Sequence, residues 1–244
     1  GRCVPFLRKL TSGNHAGSRQ GAWHRGAEPQ AGKGESVIQA IQNLGESFKR
    51  RAMAREFGDF YVTGALRVSF EDFAGSGRIL DIGGGGEGVI GRLKGSAVTA
   101  IDLRQEELDE APGGFGKLVM DARELSFPDG SFDCVTAFFS FMYMASREDQ
   151  EKAVAEAVRV LRPGGALMLW EVDTTRTLAA RKDKIIARVD YRIGTERNAT
   201  VYGARIPSEA RDLAYYRSLC QGAGLETLAC ESAGDFLYVE GVKP

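Results

Sequence analysis

Short apolar runs alternate with helical patterns along residues 78–172, and this alternation limits the possible folds more than any other feature of the chain. Runs of strand length stand at residues 78–82, 97–101, 117–120, 132–139 and 166–172. The run at 132–139 is nearly all apolar, as expected for a strand that is covered on both faces. Strands that alternate with helices form a mainly parallel sheet with right-handed crossovers. The sequence therefore predicts an α/β fold.

The helices between and after these strands follow from spacing and capping residues. Helices are predicted at residues 86–93, 106–110, 146–161 and 208–223, and two closing strands at 225–232 and 236–240. Ser146 and Asp149 have the spacing of a helix N-cap, and Pro163-Gly164-Gly165 is expected to end the helix that begins there.

Composition separates the first part of the chain from the rest. Residues 1–58 contain ten Lys and Arg against four Asp and Glu, a net charge of +6, whereas the whole chain carries −1. Residues 1–35 are predicted to be a flexible basic arm, residues 36–75 to form cap helices, and residues 76–244 to form the main domain. The basic arm has two interpretations, a solvated terminus or an electrostatic contact for nucleic acid.

Apolar runs and cysteines indicate the class of protein. The longest apolar run, at 134–145, has twelve residues, well short of the ~20 that span a bilayer, and no apolar segment of a secretory signal follows the basic start. No membrane partner and a cytoplasmic location are therefore expected. The four cysteines form no C-x-x-C pair and have no nearby histidine, so no metal site is predicted.

A glycine-rich segment, Asp81-Ile82-Gly83-Gly84-Gly85-Gly86-Glu87-Gly88, lies where the first predicted strand meets the first helix. Such a turn lets a ligand approach the backbone closely. About twenty residues later, Asp102 ends the second strand, where an acid can bind ribose hydroxyls. Gly83, Gly85 and Gly88 match the spacing of dinucleotide-binding turns. Asp81 would repel a pyrophosphate, however, and favours a cationic ligand such as the sulfonium amino acid S-adenosylmethionine.

Four segments in order resemble the class I S-adenosylmethionine-dependent methyltransferases, in particular the small-molecule type with a methyltransferase-11-like domain. The matches are residues 80–85, Asp102, Asp121-Ala122 and residues 158–165. One position departs from the family's usual D-x-G-x-G-x-G motif, because Glu87 stands where its third glycine is expected.

The resemblance implies a doubly wound, Rossmann-like sheet of seven strands, mostly parallel with an antiparallel last strand and helices on both faces. It implies S-adenosylmethionine as cofactor and S-adenosylhomocysteine as product. The implied cofactor-binding residues are Asp81, Gly83, Gly84, Gly85, Asp102, Leu103, Met120, Asp121, Ala122, Phe138 and Phe139. Asp121 could instead cap a turn, and Leu103 and Met120 could belong to an ordinary core.

The acceptor side is predicted from the segment after the fourth strand and from a long connection. Residues 138–144 lack the N/D-P-P-Y motif of nucleic-acid amino methyltransferases, and Cys134 lies within an apolar strand, so methylation of nucleic-acid bases is disfavoured. By resemblance, Ser140 and Tyr143 face the transferred methyl group, with Tyr143 as the residue that orients the acceptor.

The connection over residues 174–207 is longer than a routine loop and predicts a substrate-side insertion. It contains Arg192, Tyr202 and Arg205, which would suit an anionic or aromatic acceptor or would belong to a solvated hairpin. Asp173, just before it, binds substrate or caps the turn. The predicted function is methyl transfer to a small molecule; the alternatives are an RNA- or protein-directed methyltransferase and a non-catalytic cofactor-binding module.

Overall fold

A computed structural model of the chain describes residues 59–70, 76–206 and 208–244. The strands are β1 (Tyr61–Val68), β2 (Ile79–Ile82), β3 (Val98–Asp102), β4 (Gly116–Val119), β5 (Phe132–Phe138), β6 (Leu161–Val172), β7 (Lys184–Ile193), β8 (Glu196–Arg205), β9 (Glu226–Ala233) and β10 (Phe236–Val242). The helices are α1 (Val89–Lys94), α2 (Gln105–Glu110), α3 (Arg147–Val160), α4 (Thr175–Ala179) and α5 (Leu213–Gly222).

Seven strands form the main sheet, in the order β4-β3-β2-β5-β6-β10-β9. The strands from β4 to β6 run parallel, and β10 is antiparallel to both β6 and β9. The chain moves outward in one direction from β2 and in the other from β5, so the sheet has its topological switch point between these two strands. The predicted α/β sheet with an antiparallel last strand is confirmed.

An apolar core joins one face of this sheet to α3 and α5. Leu80 of β2, Val135 of β5 and Leu169 of β6 are fully buried in it, together with Val154 of α3 and Leu219 of α5. Side chains alternate between the two faces of a strand. Asp81, Thr136 and Trp170 consequently point to the opposite face, where a second sheet packs.

The second sheet has three strands in the order β1-β7-β8. Strand β1 runs parallel to β7, and β7 and β8 form an antiparallel hairpin, which we call the β7–β8 hairpin. Aromatic contacts join the two sheets: the ring centroid of Phe138 lies 5.6 Å from that of Phe70 and 6.1 Å from that of Tyr191. The predicted insertion at 174–207 is thus built mainly from this hairpin and α4.

The structure corrects three predicted boundaries. Residues 61–68 form β1, so the prediction of cap helices over 36–75 is wrong in that part; the predictions for residues 1–58 lie outside the described residues. Strand β6 begins at Leu161, not at residue 166 as predicted, and it includes the Pro-Gly-Gly segment. Leu161 already pairs with Phe132 of β5, and a shift in the parallel register follows that pair. Helix α5 begins later than predicted because Asp212 caps it, its Oδ1 accepting the Tyr215 N–H at 2.8 Å.

The capping predicted for Ser146 is confirmed: its Oγ accepts the Asp149 N–H at 3.0 Å, at the start of α3. Within the described ranges, every helix is too short or too polar to cross a membrane.

Candidate functional site

The glycine turn, residues 83–88, leaves β2 at the switch point and leads into α1. The amides of Gly83 and Gly84 both donate to the Ile101 carbonyl, at 2.8 and 3.1 Å, which holds the turn against β3. These two amides are therefore used in hydrogen bonds within the protein and are not free to bind a ligand. Gly83 has φ +71°, and a Cβ there would lie only 2.4 Å from the Ser140 Cβ. Glycine is required at this position by both conformation and space.

Asp81 lies beneath this turn rather than in the open crevice. Its side chain is buried, and its Oδ1 accepts a hydrogen bond from the Thr136 hydroxyl at 2.7 Å. A Cβ on Gly84 would lie 2.5 Å from its Oδ2. Burial raises the pKa of Asp81 to about 7, although the hydrogen bond from Thr136 lowers it. A cationic group bound near the turn would shift this carboxyl toward its charged form.

Asp102 and Leu103 lie together at the end of β3, at the mouth of the crevice. Asp102 is half-buried; its Oδ1 accepts the Arg104 N–H at 3.0 Å, and its Oδ2 lies 3.0 Å from the position of a Cβ on Gly85. Leu103 is 63% exposed, which is unusual for a large apolar side chain. Met120, half-buried, joins them through its amide, which donates to the Asp102 carbonyl. A carboxylate beside exposed apolar surface suits a nucleoside.

Asp121 is engaged with the protein itself. Its carboxylate accepts hydrogen bonds from the Arg123 amide at 2.9 Å and from the Arg123 guanidinium at 2.6 Å, and the same arginine reaches Asp149. Hydrogen bonding from Arg123 holds the pKa of Asp121 below its usual value. These contacts favour the interpretation that Asp121 caps the turn. Ala122, the next residue, is buried.

The segment after β5 carries backbone strain where it meets the crevice. Phe139 is fully buried with φ +54°, a left-handed conformation that is rare for a bulky residue and clusters at functional sites. The next residue, Ser140, abuts Gly83, and its Oγ is buried without a hydrogen-bond partner among the described residues. Phe138 differs from the prediction, because its ring packs between the two sheets rather than at the turn.

The β7–β8 hairpin covers the glycine turn through Glu87, the residue that replaces the family's third glycine. The Glu87 carboxylate accepts hydrogen bonds from the hydroxyls of Thr200 and of Tyr202, the latter at 3.3 Å. The ring of Tyr202 stacks on Phe139, with centroids 5.5 Å apart. Arg92 of α1 adds hydrogen bonds and an ion pair to the same hairpin, with Tyr191, Asn198 and Glu196. Glu87, which replaces the third glycine of the motif, thus connects the glycine turn to the hairpin.

Tyr143 lies at the end of a short 3-10 turn, Phe141–Tyr143, and is 55% exposed. Loss of hydration at its hydroxyl raises the pKa of Tyr143, and the carboxylates of Glu171, Glu87 and Glu107 raise it further. The hydroxyl is therefore a hydrogen-bond donor at neutral pH, not a phenolate. The side chain lies between the glycine turn and the hairpin, and its role on the acceptor side stays a prediction.

Three predicted acceptor-side residues lie elsewhere. Arg192 and Arg205 are on the opposite face of the hairpin from Tyr202, because side chains alternate along each strand; both are exposed, and Arg205 pairs with Asp183 at 2.5 Å. Asp173 holds the turn that leads into α4, its Oδ1 accepting the Thr175 N–H at 2.8 Å.

Sequence reasoning missed Glu171, the penultimate residue of β6, which is fully buried beneath the Phe141–Tyr143 turn. A signal was available: Glu171 is the one charged residue in the apolar run 166–172. A single charge within a buried strand needs a partner or a function.

S-adenosylmethionine fits the residues around the crevice. The unpartnered Ser140 Oγ beside the glycine turn could bind the amino acid end, Asp102 the ribose, and exposed Leu103 the ring of the adenine. Clusters of three or more potential metal ligands are absent from the described part of the chain.

Comparison with known proteins agrees with this geometry. Residues 80–169 match the family described as "Methyltransferase domain". The ubiquinone/menaquinone biosynthesis C-methyltransferase of Pseudomonas fluorescens is 27% identical, over 59% of this chain and 60% of that relative. The demethylmenaquinone methyltransferase of Thermus thermophilus is 52% identical over a shorter segment of 54 residues, 22% of this chain and 23% of that protein. The chain thus spans about 60% of the length of the first of these relatives.

Two solved structures share the fold. The PH0226 protein of Pyrococcus horikoshii superimposes with a TM-score of 0.53 at 16% identity, covering 83% of this chain and 93% of that one. A methyltransferase of Methanosarcina mazei gives 0.51 at 21% identity, covering 68% and 92%. The matched domain and the shared fold support a class I methyltransferase, and they imply S-adenosylmethionine as the cofactor.

Proposed function

We propose that the protein transfers a methyl group from S-adenosylmethionine to a small-molecule acceptor that binds under the β7–β8 hairpin. The observation that carries the proposal is the covering of the glycine turn by this hairpin through Glu87, Thr200 and Tyr202. A crevice narrowed in this way favours a small acceptor over a folded macromolecule. The finer possibility is an acceptor with an aromatic ring. Tyr202 and Tyr143 place aromatic rings on the acceptor side, and the matched relatives are named for quinone biosynthesis.

The cofactor supplies an electrophilic methyl group on a sulfonium. The leaving group is a neutral thioether, which needs no acid to depart. The protein's contribution is therefore mainly binding, orientation and exclusion of water. Asp102 and Leu103 hold the nucleoside end, and Ser140 lies where the amino acid end meets the turn. Tyr143, protonated at neutral pH, donates a hydrogen bond that orients the acceptor. The hairpin keeps water from the reacting atoms.

A methyl-label transfer assay tests the proposal. The protein is incubated with methyl-labelled S-adenosylmethionine and three acceptor pools: a small-molecule extract that includes reduced quinones, total RNA, and total protein. We expect label in the small-molecule fraction and a loss of about tenfold or more in its rate with Tyr143→Phe, because the orienting hydrogen bond is removed. Label only in RNA or in protein would favour a macromolecular acceptor, and no label with the cofactor bound would favour a non-catalytic module.

A further inference from the structure

Glu171 has an environment that the cofactor chemistry alone does not require. It lies at the end of β6 on the face toward α3 and α5, and its side chain is fully buried. Its Oε1 accepts the Phe141 N–H at 2.6 Å, whereas its Oε2 is buried and has no hydrogen-bond partner among the described residues. A buried carboxyl with one oxygen outside hydrogen-bond distance of any described donor is costly, and such a group calls for an explanation in function.

The same turn is held by two further buried side chains. Gln150 of α3 donates to the Phe141 carbonyl at 2.8 Å and accepts the Tyr215 hydroxyl at 2.8 Å. Arg211, buried ahead of α5, donates to the carbonyls of Met144 and Ala145, each at 2.8 Å. Gln150 and Arg211 bind carbonyl groups, whereas Glu171 binds the amide at the start of the turn.

The turn in question adjoins the glycine turn with no spare space. Ser140 immediately precedes it, and the Ser140 Cβ lies 2.4 Å from the position of a Cβ on Gly83. Tyr143 ends it, facing Gly203 of the hairpin. A displacement of about 1 Å at Phe141 would therefore be transmitted to both residues, and misplacement of this size can cost about a hundredfold in rate.

We propose that Glu171 is a positioning residue for methyl transfer, which holds the Phe141–Tyr143 turn from below so that Ser140 and Tyr143 face the reacting groups. The proposal rests on the proposed function for its kinetic consequence, because the turn lies on the acceptor side of the cofactor.

The protonation state of Glu171 gives the proposal a pH signature. Burial raises the pKa of Glu171 to about 8, while the Phe141 N–H, the positive charge of Arg211 and the amides of Val172 and Met142 lower it. The other ionisable groups that face this carboxyl are Tyr143 of the turn and Tyr216 of α5, whose pKa values are also raised. Glu171 is thus the group in this cluster that ionises between pH 7 and 9. Ionisation leaves the charge of this buried carboxylate only partly compensated by the described residues, and we expect the turn to shift as a result.

The test compares Glu171→Gln, Glu171→Ala and the control Glu231→Gln. Glu231 lies on the edge strand β9, and its pKa is likewise raised by burial. At pH 7, Glu171→Gln keeps an oxygen for the Phe141 N–H and a neutral side chain, so kcat should stay within about twofold of wild type. Glu171→Ala should lower kcat by about 10- to 100-fold with little change in the KM for the cofactor. Above pH 8, wild type and the control should lose activity that Glu171→Gln retains.

Amide hydrogen exchange over residues 139–146 provides a readout that needs no turnover. Exchange should accelerate in Glu171→Ala at pH 7 and match wild type in Glu171→Gln. If no acceptor is methylated but this exchange pattern holds, the proposed function fails while the holding of the turn by Glu171 stands. The positioning role is refuted if Glu171→Gln loses as much activity as Glu171→Ala, if the pH profiles of wild type and Glu171→Gln coincide, or if exchange is unchanged in both variants.

Discussion

At the scale of single residues, buried carboxyl groups dominate the electrostatics of the site. Asp81 of β2 and Glu171 of β6 are buried on opposite faces of the main sheet. Burial raises the pKa of Asp81 to about 7 and that of Glu171 to about 8. A carboxyl with a raised folded-state pKa binds its proton more tightly in the folded protein than in the unfolded chain. Its contribution to stability is complete below the unfolded pKa and is lost as pH rises through the folded pKa.

This linkage predicts the effect of Glu171→Gln on stability. The carboxyl ionises near pH 4.5 in the unfolded chain and near pH 8 in the folded protein, so the stability of the wild type falls across this window relative to that of the variant. We expect the variant to gain about 1–3 kcal/mol in the free energy of unfolding at pH 8 and to show little gain at pH 4. Urea unfolding at the two pH values measures the difference, and an equal effect at both would show that Glu171 is ionised or exposed in the folded state.

The sequence predicted where the glycine turn and Asp102 lie in the fold, but it did not predict the direction of the acceptor-side arginines. The glycine turn and Asp102 are local to one strand end and one turn, so their motif spacing carries the information. The direction of Arg192 and Arg205 depends on hairpin register, which composition does not specify. The contact of Glu87 with Thr200 joins residues more than one hundred positions apart, and no local pattern contains it.

At the scale of elements, the β7–β8 hairpin is attached to the glycine turn by hydroxyl groups rather than by an apolar interface. Thr200 and Tyr202 both donate to the Glu87 carboxylate, and Tyr202 also stacks on Phe139. The sequence predicted an insertion here but not its second sheet. Strand β1 is separated from β7 by more than one hundred residues. The apolar periodicity of a segment predicts its own secondary structure but not the distant strand with which it pairs.

Removing the two hydroxyls tests this attachment. The double variant Thr200→Val with Tyr202→Phe keeps the shape of both side chains and leaves the Glu87 carboxylate without these donors. We expect faster hydrogen exchange over residues 196–205 and a higher KM for the acceptor, with a loss of about 1–3 kcal/mol in local stability. Val201→Thr, on the opposite face of β8, serves as the control. Unchanged exchange and KM in the double variant would mean that the aromatic stacking and the Arg92 contacts hold the hairpin without these hydroxyls.

At the scale of the whole molecule, the described chain combines a seven-stranded sheet with a small sheet that packs at the crevice. The order of helices and strands was predictable because apolar periodicity and caps are local. A doubly wound sheet with an antiparallel last strand was expected from resemblance, and the parallel pairing of β2 with β5 and the antiparallel pairing of β10 with β6 confirm it. The crevice lies there because loops at the carboxyl ends of neighbouring parallel strands meet at one edge of the sheet.

Calorimetric titration with S-adenosylhomocysteine tests the central claim, that the crevice binds this cofactor pair. The account predicts binding to the wild-type protein, no binding of NAD under the same conditions, and about 10- to 100-fold weaker affinity in Asp102→Ala, the loss expected for hydrogen bonds to a carboxylate. Asp109→Ala, on the exposed surface of α2, should bind as wild type does. Binding of NAD in place of S-adenosylhomocysteine, or an affinity unchanged by Asp102→Ala, would contradict the assignment of the crevice.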